Sequence, residues 1–388
     1  MAKSKCTLEG LNSDKIIRLS KSCLREGEKA AVLRVLDKGF LGMGEEVQLF
    51  EQKLSEFFGR PAICVVNGTA ALHLALQACE IGIGDEVLVP SITYVSSYQS
   101  ITATGAKPIS CDISSDSLCI DPVDAEKRLT EKTKAIMPVH YSGGVGDLDA
   151  VYEFAQRHNL RVVEDAAHAF GTTYKSRKIG SFGDIACFSF DGIKNITSGE
   201  GGCIVSDNLE FLNLVRDARL LGVEKDSEKR YTDQRSWAFD VKRQGWRYHM
   251  SNIMAAIGIE QLARFDEISQ KRRSLAKRYV EILSSFPSVR LINHDYTEVV
   301  PHIFVVQIPK NCHRERIIKF LKDRNIQTGI HYLPNHQLSF FEHSDINGEL
   351  DVTNERHQKL LTLPLHEDLN LEEVKYIAQS FLEAIEIR

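Results

Sequence analysis

The sequence predicts an α/β protein with two parts, a large domain on a mainly parallel mixed sheet and a smaller C-terminal α+β domain. Three observations carry this reading. Strand-like and helix-like segments alternate through the first half of the chain; the pattern changes near residue 265; and 43% of the 388 residues are apolar, enough to bury more than one core. The expected division is residues 1–265 and 266–388.

The elements follow in order. REGEKAAVLRVLDKG from residue 25 predicts an amphipathic helix ending at Gly39, and EEVQLFEQKLSEFFG a second ending at Gly59. The loop between them, Phe40 to Gly44, is glycine-rich and open to a ligand. AICVV then precedes NGTAALHLALQACE, EVLVP precedes a helical segment near SSYQSITATG, and AIMPVHY precedes DLDAVYEFAQRHN. RVVED is a further short strand. Alternation of this kind predicts functional loops at strand C-terminal ends. From about Arg272 come a long charged helix, the strand FVVQI, a helix from Arg314 to Arg324 and a last helix from Leu371. No low-complexity linker or repeat interrupts the chain.

The bulk numbers exclude several classes of function. With 48 basic and 53 acidic residues and a net charge of -5, the chain offers no general attraction for nucleic acid or anionic lipid. The N-terminal stretch lacks a secretory apolar run, and nothing approaches the roughly 20 apolar residues that cross a bilayer. The expectation is a cytoplasmic protein acting on small molecules. Nine cysteines occur without a CxxC pair, and an odd count argues against a disulfide framework. The 13 histidines form no HExxH or similar spacing, so no metal site is predicted.

Four segments carry chemistry. In CFSFDGIKNITSGEGGCIV, Ser189 stands five residues before Lys194, whose loop lies between apolar strands. A lysine in such a setting loses its proton readily and condenses with an aldehyde, although alone it reads more readily as a solvated surface lysine. RVVEDAAHAFG sets Asp165 at a strand end and His168 three residues on. A carboxylate there would keep a pyridinium nitrogen protonated and His168 would bond a ring hydroxyl oxygen; an Asp capping the next turn is the alternative. VVNGTAALHLAL has the form of a phosphate cradle, with Gly68 allowing close approach and the amides of Thr69 and Ala70 pointing outward; an N-capped helix explains the same letters. In VPSITYVSSYQS, Tyr94 follows a strand, placed either to stack on a flat ring or in the core. An anion cradle, a ring stacker, a pyridinium partner and an aldehyde-trapping amine in one chain are hard to explain separately.

With these residues the sequence resembles the DegT/DnrJ/EryC1/StrS family of sugar aminotransferases, of the aspartate-aminotransferase-like fold type I. GFLGMG, PVHYSGGVGDLDAV, MSNIMAAIGIEQLARFDEI, TGIHYLPNHQ and LPLHEDL extend the resemblance over nearly the whole chain. It implies that residues 1–265 bind pyridoxal 5'-phosphate, with pyridoxamine 5'-phosphate as the intermediate form. Lys194 would form the Schiff base and later move a proton, Asp165 would pair with the ring nitrogen, and His168 would contact the ring oxygen. Tyr94 would stack, while Gly68, Thr69 and Ser189 would bind phosphate. It also implies a homodimer with active sites at the interface, completed by the GWRYHMSNI loop. There the sequence departs from the family, with Arg247 where asparagine is usual and His249 where arginine is usual. Arg247 would give the partner's phosphate a charge-assisted contact.

The implied reaction passes an amino group from a donor, most often glutamate, to a keto-sugar. The acceptor is a nucleotide-linked keto-deoxyhexose or a relative such as a keto-octulosonate, serving lipopolysaccharide, capsule or antibiotic synthesis. His331, Tyr332 and His336 are candidate substrate contacts. Two rival readings are a sugar dehydratase of the same family, which typically has histidine in place of Lys194, and a non-catalytic regulatory protein on the same fold. GGVG at 143–146 has the wrong spacing for a nicotinamide-binding turn.

Overall fold

Glycines in the left-handed region stop the first two helices where the sequence predicts. Glu26–Lys38 ends at Gly39 (φ 69°) and Glu45–Phe58 at Gly59 (φ 68°), a conformation strained for residues with a Cβ. The second buries Val47, Phe50, Leu54 and Phe58 along one face, the spacing of an amphipathic helix. The computed structural model describes residues 15–223, 239–341 and 349–386.

Seven strands form the main sheet: β1 (Ala62–Val65), β2 (Glu86–Pro90), β3 (Lys107–Cys111), β4 (Thr133–Ile136), β5 (Arg161–Asp165), β8 (Ile185–Ser189) and β9 (Gly202–Val205). A two-stranded hairpin of β6 (Thr173–Tyr174) and β7 (Arg177–Lys178) stands between β5 and β8 in sequence. The sheet order is β1-β9-β8-β5-β4-β2-β3, and β9 alone runs against the others. Side chains alternate between two cores, as the period of two requires. Cys64, Leu88 and Ala186 join the core that holds Phe50 and Phe188, while Ile63, Val65, Val87 and Ile185 join the core under helix Gly68–Ala78. With both faces covered, strands β1, β2, β8 and β9 are buried throughout, the signature of a sheet flanked by helices.

The C-terminal part carries a separate antiparallel sheet, β10 (Arg290–Leu291), β11 (Phe304–Gln307) and β12 (Leu360–Leu363). Helices Phe265–Leu283, Arg314–Lys322 and Leu371–Glu386 share its core through Leu275, Tyr279, Leu321, Ile377 and Phe381. The long charged helix therefore starts at Phe265, not near Arg272. Its first turns bury Phe265 and Ile268 in the large-sheet core, so they read as a continuation of the preceding apolar helix Asn252–Ala263. Arg264 separates the two helices, its guanidinium held by Glu28 (2.9 Å) and Glu367 (2.6 Å). Among the described residues no helix is long and apolar enough to cross a membrane.

Candidate active site

A cavity of about 390 Å³ opens at the C-terminal ends of β1, β2, β5 and β8. It is lined by Gly68, Thr69, Tyr94, Asp165, His168, Ser189 and Lys194, residues that the sequence scatters over more than a hundred positions.

The end nearest helix Gly68–Ala78 is built for an anion. Asn67 caps that helix, its Oδ1 accepting from the Ala70 amide at 2.8 Å. This corrects the expectation that the Ala70 amide points outward: the cap consumes it, leaving Gly68 and Thr69 as the helix-terminal donors. Gly68 is required by close approach, since a Cβ there would lie 2.8 Å from Ser189 Cβ and 3.2 Å from its Oγ. The Ser189 hydroxyl, at the end of β8, thereby stands against the helix N-terminus, where an anion gains from the dipole.

Asp165 ends β5 and is buried. Its Oδ2 accepts from Ser97 Oγ at 2.6 Å and its Oδ1 from the Ala167 amide at 3.2 Å. The carboxylate thus caps the following turn and also faces the cavity. Lys194 lies in the turn after β8, its amide bonded to the Asp191 carbonyl at 3.0 Å. Burial pushes its amine down to about 8 from the ordinary 10.5, against the opposing pull of Asp165 and Asp191. About half is therefore neutral near pH 8, the form that attacks a carbonyl.

His168 is fully engaged. Its Nδ1 accepts from the Ser142 amide at 3.3 Å, and its Nε2 lies 3.0 Å from the Tyr332 hydroxyl. Burial, then the charge of Lys194, holds the ring well below its ordinary value, so it is neutral. With Nδ1 accepting, the proton sits on Nε2 and is donated to Tyr332, leaving the phenol's own hydrogen free for another acceptor. Tyr332 stays protonated, since burial raises its phenol well above the ordinary range. Its ring also meets Tyr94, with centroids 5.7 Å apart. Tyr94 is 57% exposed, so its ring is a cavity wall and not part of the core.

His331 lines the cavity with its Nδ1 bonded to Thr362 Oγ1 at 2.8 Å, and burial lowers it to about 4. His336 does not line the cavity; its Nδ1 lies 2.7 Å from Ser91 Oγ. Phe40 to Gly44 stays outside too, tied down by Asn252, whose Nδ2 donates to the Phe40 carbonyl at 3.0 Å. Arg247 is exposed and does not line the cavity.

Among the cavity residues that the sequence did not single out are Asn67, Asp191, Glu200 and His302. Asn67 carried a legible signal as a polar residue ahead of an apolar helix. Glu200, whose carboxyl is raised by burial and by Asp191, lay in the loop already noted. His302 carried none: a single histidine before FVVQI becomes a neighbour of Lys194 only through the tertiary fold.

Comparison with known proteins agrees with this arrangement. The model of the DegT/DnrJ/EryC1/StrS aminotransferase family matches residues 22–382. The spore coat polysaccharide biosynthesis protein SpsC of Bacillus subtilis (strain 168) is 36% identical over 362 residues, covering 91% of this chain and 93% of SpsC. Helicobacter pylori PseC, an aminotransferase of pseudoaminic acid biosynthesis, superposes with a TM-score of 0.89 at 29% identity over 96% of this chain and all (100%) of PseC. Spr1654 of Streptococcus pneumoniae, described as a sugar aminotransferase, superposes in its PLP form with a TM-score of 0.89 at 29% identity, covering 96% of this chain and 99% of that one; it is also solved in a PMP form. The chain belongs to the DegT/DnrJ/EryC1/StrS aminotransferase family and is a pyridoxal-phosphate-dependent sugar aminotransferase of fold type I.

Proposed function

We propose that this enzyme moves an amino group from glutamate to a keto-sugar, a nucleotide-linked keto-deoxyhexose or a relative such as a keto-octulosonate, for a surface polysaccharide or natural product. The observation that carries the reading is the Lys194 amine, brought to about 8 in the cavity that also contains Asp165. Pyridoxal phosphate, when bound, supplies an aldehyde that captures amines and a ring that withdraws the electrons left on carbon as a proton departs. The side chains fit that group. The cradle where a Cβ on Gly68 would strike Ser189, with the Thr69 amide, would hold the phosphate; Asp165 would hold the ring nitrogen; His168 would meet the ring oxygen by giving it the Nε2 hydrogen now directed at Tyr332; and Tyr94 would flank the ring. Lys194, neutral above about 8, would take a proton from one carbon and deliver it to another. We assign His331 and Tyr332, but not His336, to the sugar acceptor. The names of SpsC and PseC, which place those relatives in spore coat polysaccharide and pseudoaminic acid biosynthesis, support a surface-sugar pathway.

A homodimer belongs to the same reading. Among the described residues lining the cavity, Lys194 is the one lysine or arginine, so a phosphate dianion bound there has amides and hydroxyls but no arginine. Exposed Arg247, with no ion pair among the described residues, is our candidate to supply that charge to the partner's site.

An absorption spectrum tests the proposal. A visible-edge band that borohydride fixes onto Lys194, that glutamate shifts to shorter wavelength, and that Lys194→Ala lacks would support it; a keto-sugar screen would then name the acceptor. A colourless protein that takes up no pyridoxal phosphate would overturn it.

A further inference from the structure

Among the described residues the Lys194 amine has one side-chain hydrogen-bond partner, and it is a histidine. His302 Nε2 lies 3.5 Å from Lys194 Nζ. The distance is long, as catalytic hydrogen bonds often are before a ligand closes the site. The backbone of His302 is fixed from both sides, its amide donating to the Ser142 carbonyl (3.2 Å) and its carbonyl receiving Arg272 Nη1 (3.2 Å). Arg272, itself buried, also reaches the Lys194 carbonyl at 3.4 Å. One guanidinium therefore ties together the main chains of the lysine and of its partner.

The imidazole is held at a cost. Among the described residues its buried Nδ1 has no hydrogen-bond partner, and its ring centroid lies 4.3 Å from that of His168. A buried polar atom left unpaired in a native protein calls for a compensating role. Burial, then the positive charge of Lys194 and, further down, that of Arg272, hold the ring well below its ordinary value. A neutral imidazole with its hydrogen on Nδ1 presents a lone pair at Nε2, which faces the amine.

We propose that His302 docks the free Lys194 amine: whenever that nitrogen is not bonded to the cofactor, Nε2 accepts one of its hydrogens and keeps the four-carbon arm inside the cavity. The inference rests on Lys194 being the cofactor lysine. An ammonium donates a stronger hydrogen bond than an amine, so His302 favours the protonated lysine. It acts alongside the carboxylates of Asp165 and Asp191 and against burial. Of the other titratable groups in the cavity, His168 and His331 are held neutral by burial, Tyr332 keeps its proton, and burial and Asp191 raise the Glu200 carboxyl.

The test uses protein freed of cofactor, with labelling of Lys194 by an amine-acylating reagent followed by mass spectrometry as a function of pH. In the wild type the labelling midpoint should fall near the value of about 8. In His302→Leu it should fall by about one pH unit, raising the labelling rate at pH 7 about five-fold. In His302→Gln, which keeps an acceptor, it should stay near wild type. An unmoved midpoint in His302→Leu, or an equal displacement in both variants, would overturn the proposal. Should His302→Leu fail to fold, His302→Ala with and without added imidazole gives the same comparison: a midpoint restored by imidazole supports docking, and one unaffected refutes it. Borohydride trapping of pyridoxal phosphate is scored separately. If no cofactor is fixed on Lys194 in the wild type, the parent reading fails; if it is fixed and the midpoints do not move, only the docking role fails.

Discussion

Replacing Lys194 with methionine should stabilise the cofactor-free protein, by an amount that fades as pH rises. The amine is displaced from 10.5 to about 8 by burial, and the gap, at ~1.36 kcal/mol for each tenfold change in proton affinity, corresponds to ~3 kcal/mol. Lys194 is only partly buried as a residue, so cavity water screens some of this. Asp165 and Asp191 also lose a cation in the variant, and the expected gain is about 2 kcal/mol. The sign follows from proton counting. The unfolded chain keeps its proton up to about 10.5, whereas the folded chain releases it near 8. Below about 8 the wild type bears the full cost of a buried charge. Between the two values the unfolded state binds more protons, so wild-type stability rises with pH and the advantage of methionine disappears. Methionine fills the same apolar path without a charge. Urea denaturation of both cofactor-free proteins at pH 7 and pH 10 measures the difference. A gain equal at both pH values, or a loss at pH 7, would refute the argument that burial of this amine is what lowers it.

Gly68→Ala should cost about 1–3 kcal/mol in urea denaturation, because its Cβ would sit 2.8 Å from Ser189 Cβ, and Ser189→Gly in the same chain should recover part of the loss. Ser97→Ala removes the 2.6 Å hydrogen bond to Asp165; a charge-assisted bond of this kind is worth roughly 1.5–3 kcal/mol, and titration with pyridoxal phosphate should show about ten-fold weaker uptake or more. Asn67→Ala deletes the cap on the Ala70 amide and should lower stability by about 1 kcal/mol in the same urea assay. Coexpressed Lys194→Ala and Arg247→Ala chains should regain activity that neither homodimer has, because one site of the hybrid then carries both native residues; no regain would count against Arg247 acting across the interface.

The helices and strands at both ends of the site were legible because their signals are local. Gly39 and Gly59 stop helices through their own φ values, and the alternation of Ile63, Cys64 and Val65 between two cores follows from strand geometry. The hairpin of β6 and β7 was not legible. Its turn residues, Lys175 (φ 50°) and Ser176 (φ 63°), occupy left-handed positions where Asn-Gly is the usual signal. The start of helix Phe265–Leu283 was hidden by burial of its first turns in the neighbouring core. In the site, the residues on strand ends were predictable as a set, since parallel sheets expose their ligand loops there. His302 and the engagement of His168 by Tyr332 depend on contacts across more than a hundred residues of sequence, which no local pattern encodes.

Those long-range contacts share a geometry that bears on how the site is kept in register. The segment from Gly329 to Asn335 is hung at one end on β12, through paired main-chain bonds between Gly329 and Thr362 (3.1 and 2.8 Å). At the other end the Asn335 side chain donates to the carbonyls of Ser91 (3.1 Å) and Thr93 (2.8 Å), just beyond β2. His331 and Tyr332 lie between these anchors and line the cavity. His302 enters from the residues leading into β11, on the same small sheet. The large sheet thus supplies Asp165, Ser189 and Lys194, and the small-sheet side supplies Tyr332, which hydrogen-bonds His168 Nε2, and His302, which hydrogen-bonds Lys194. A shift of the small sheet would change the partners of His168 and Lys194 together, while Asp165, held by Ser97 and Ala167, would keep its own. Loosening the Asn335 anchor should therefore disturb proton handling at Lys194 before it disturbs the fixed carboxylate.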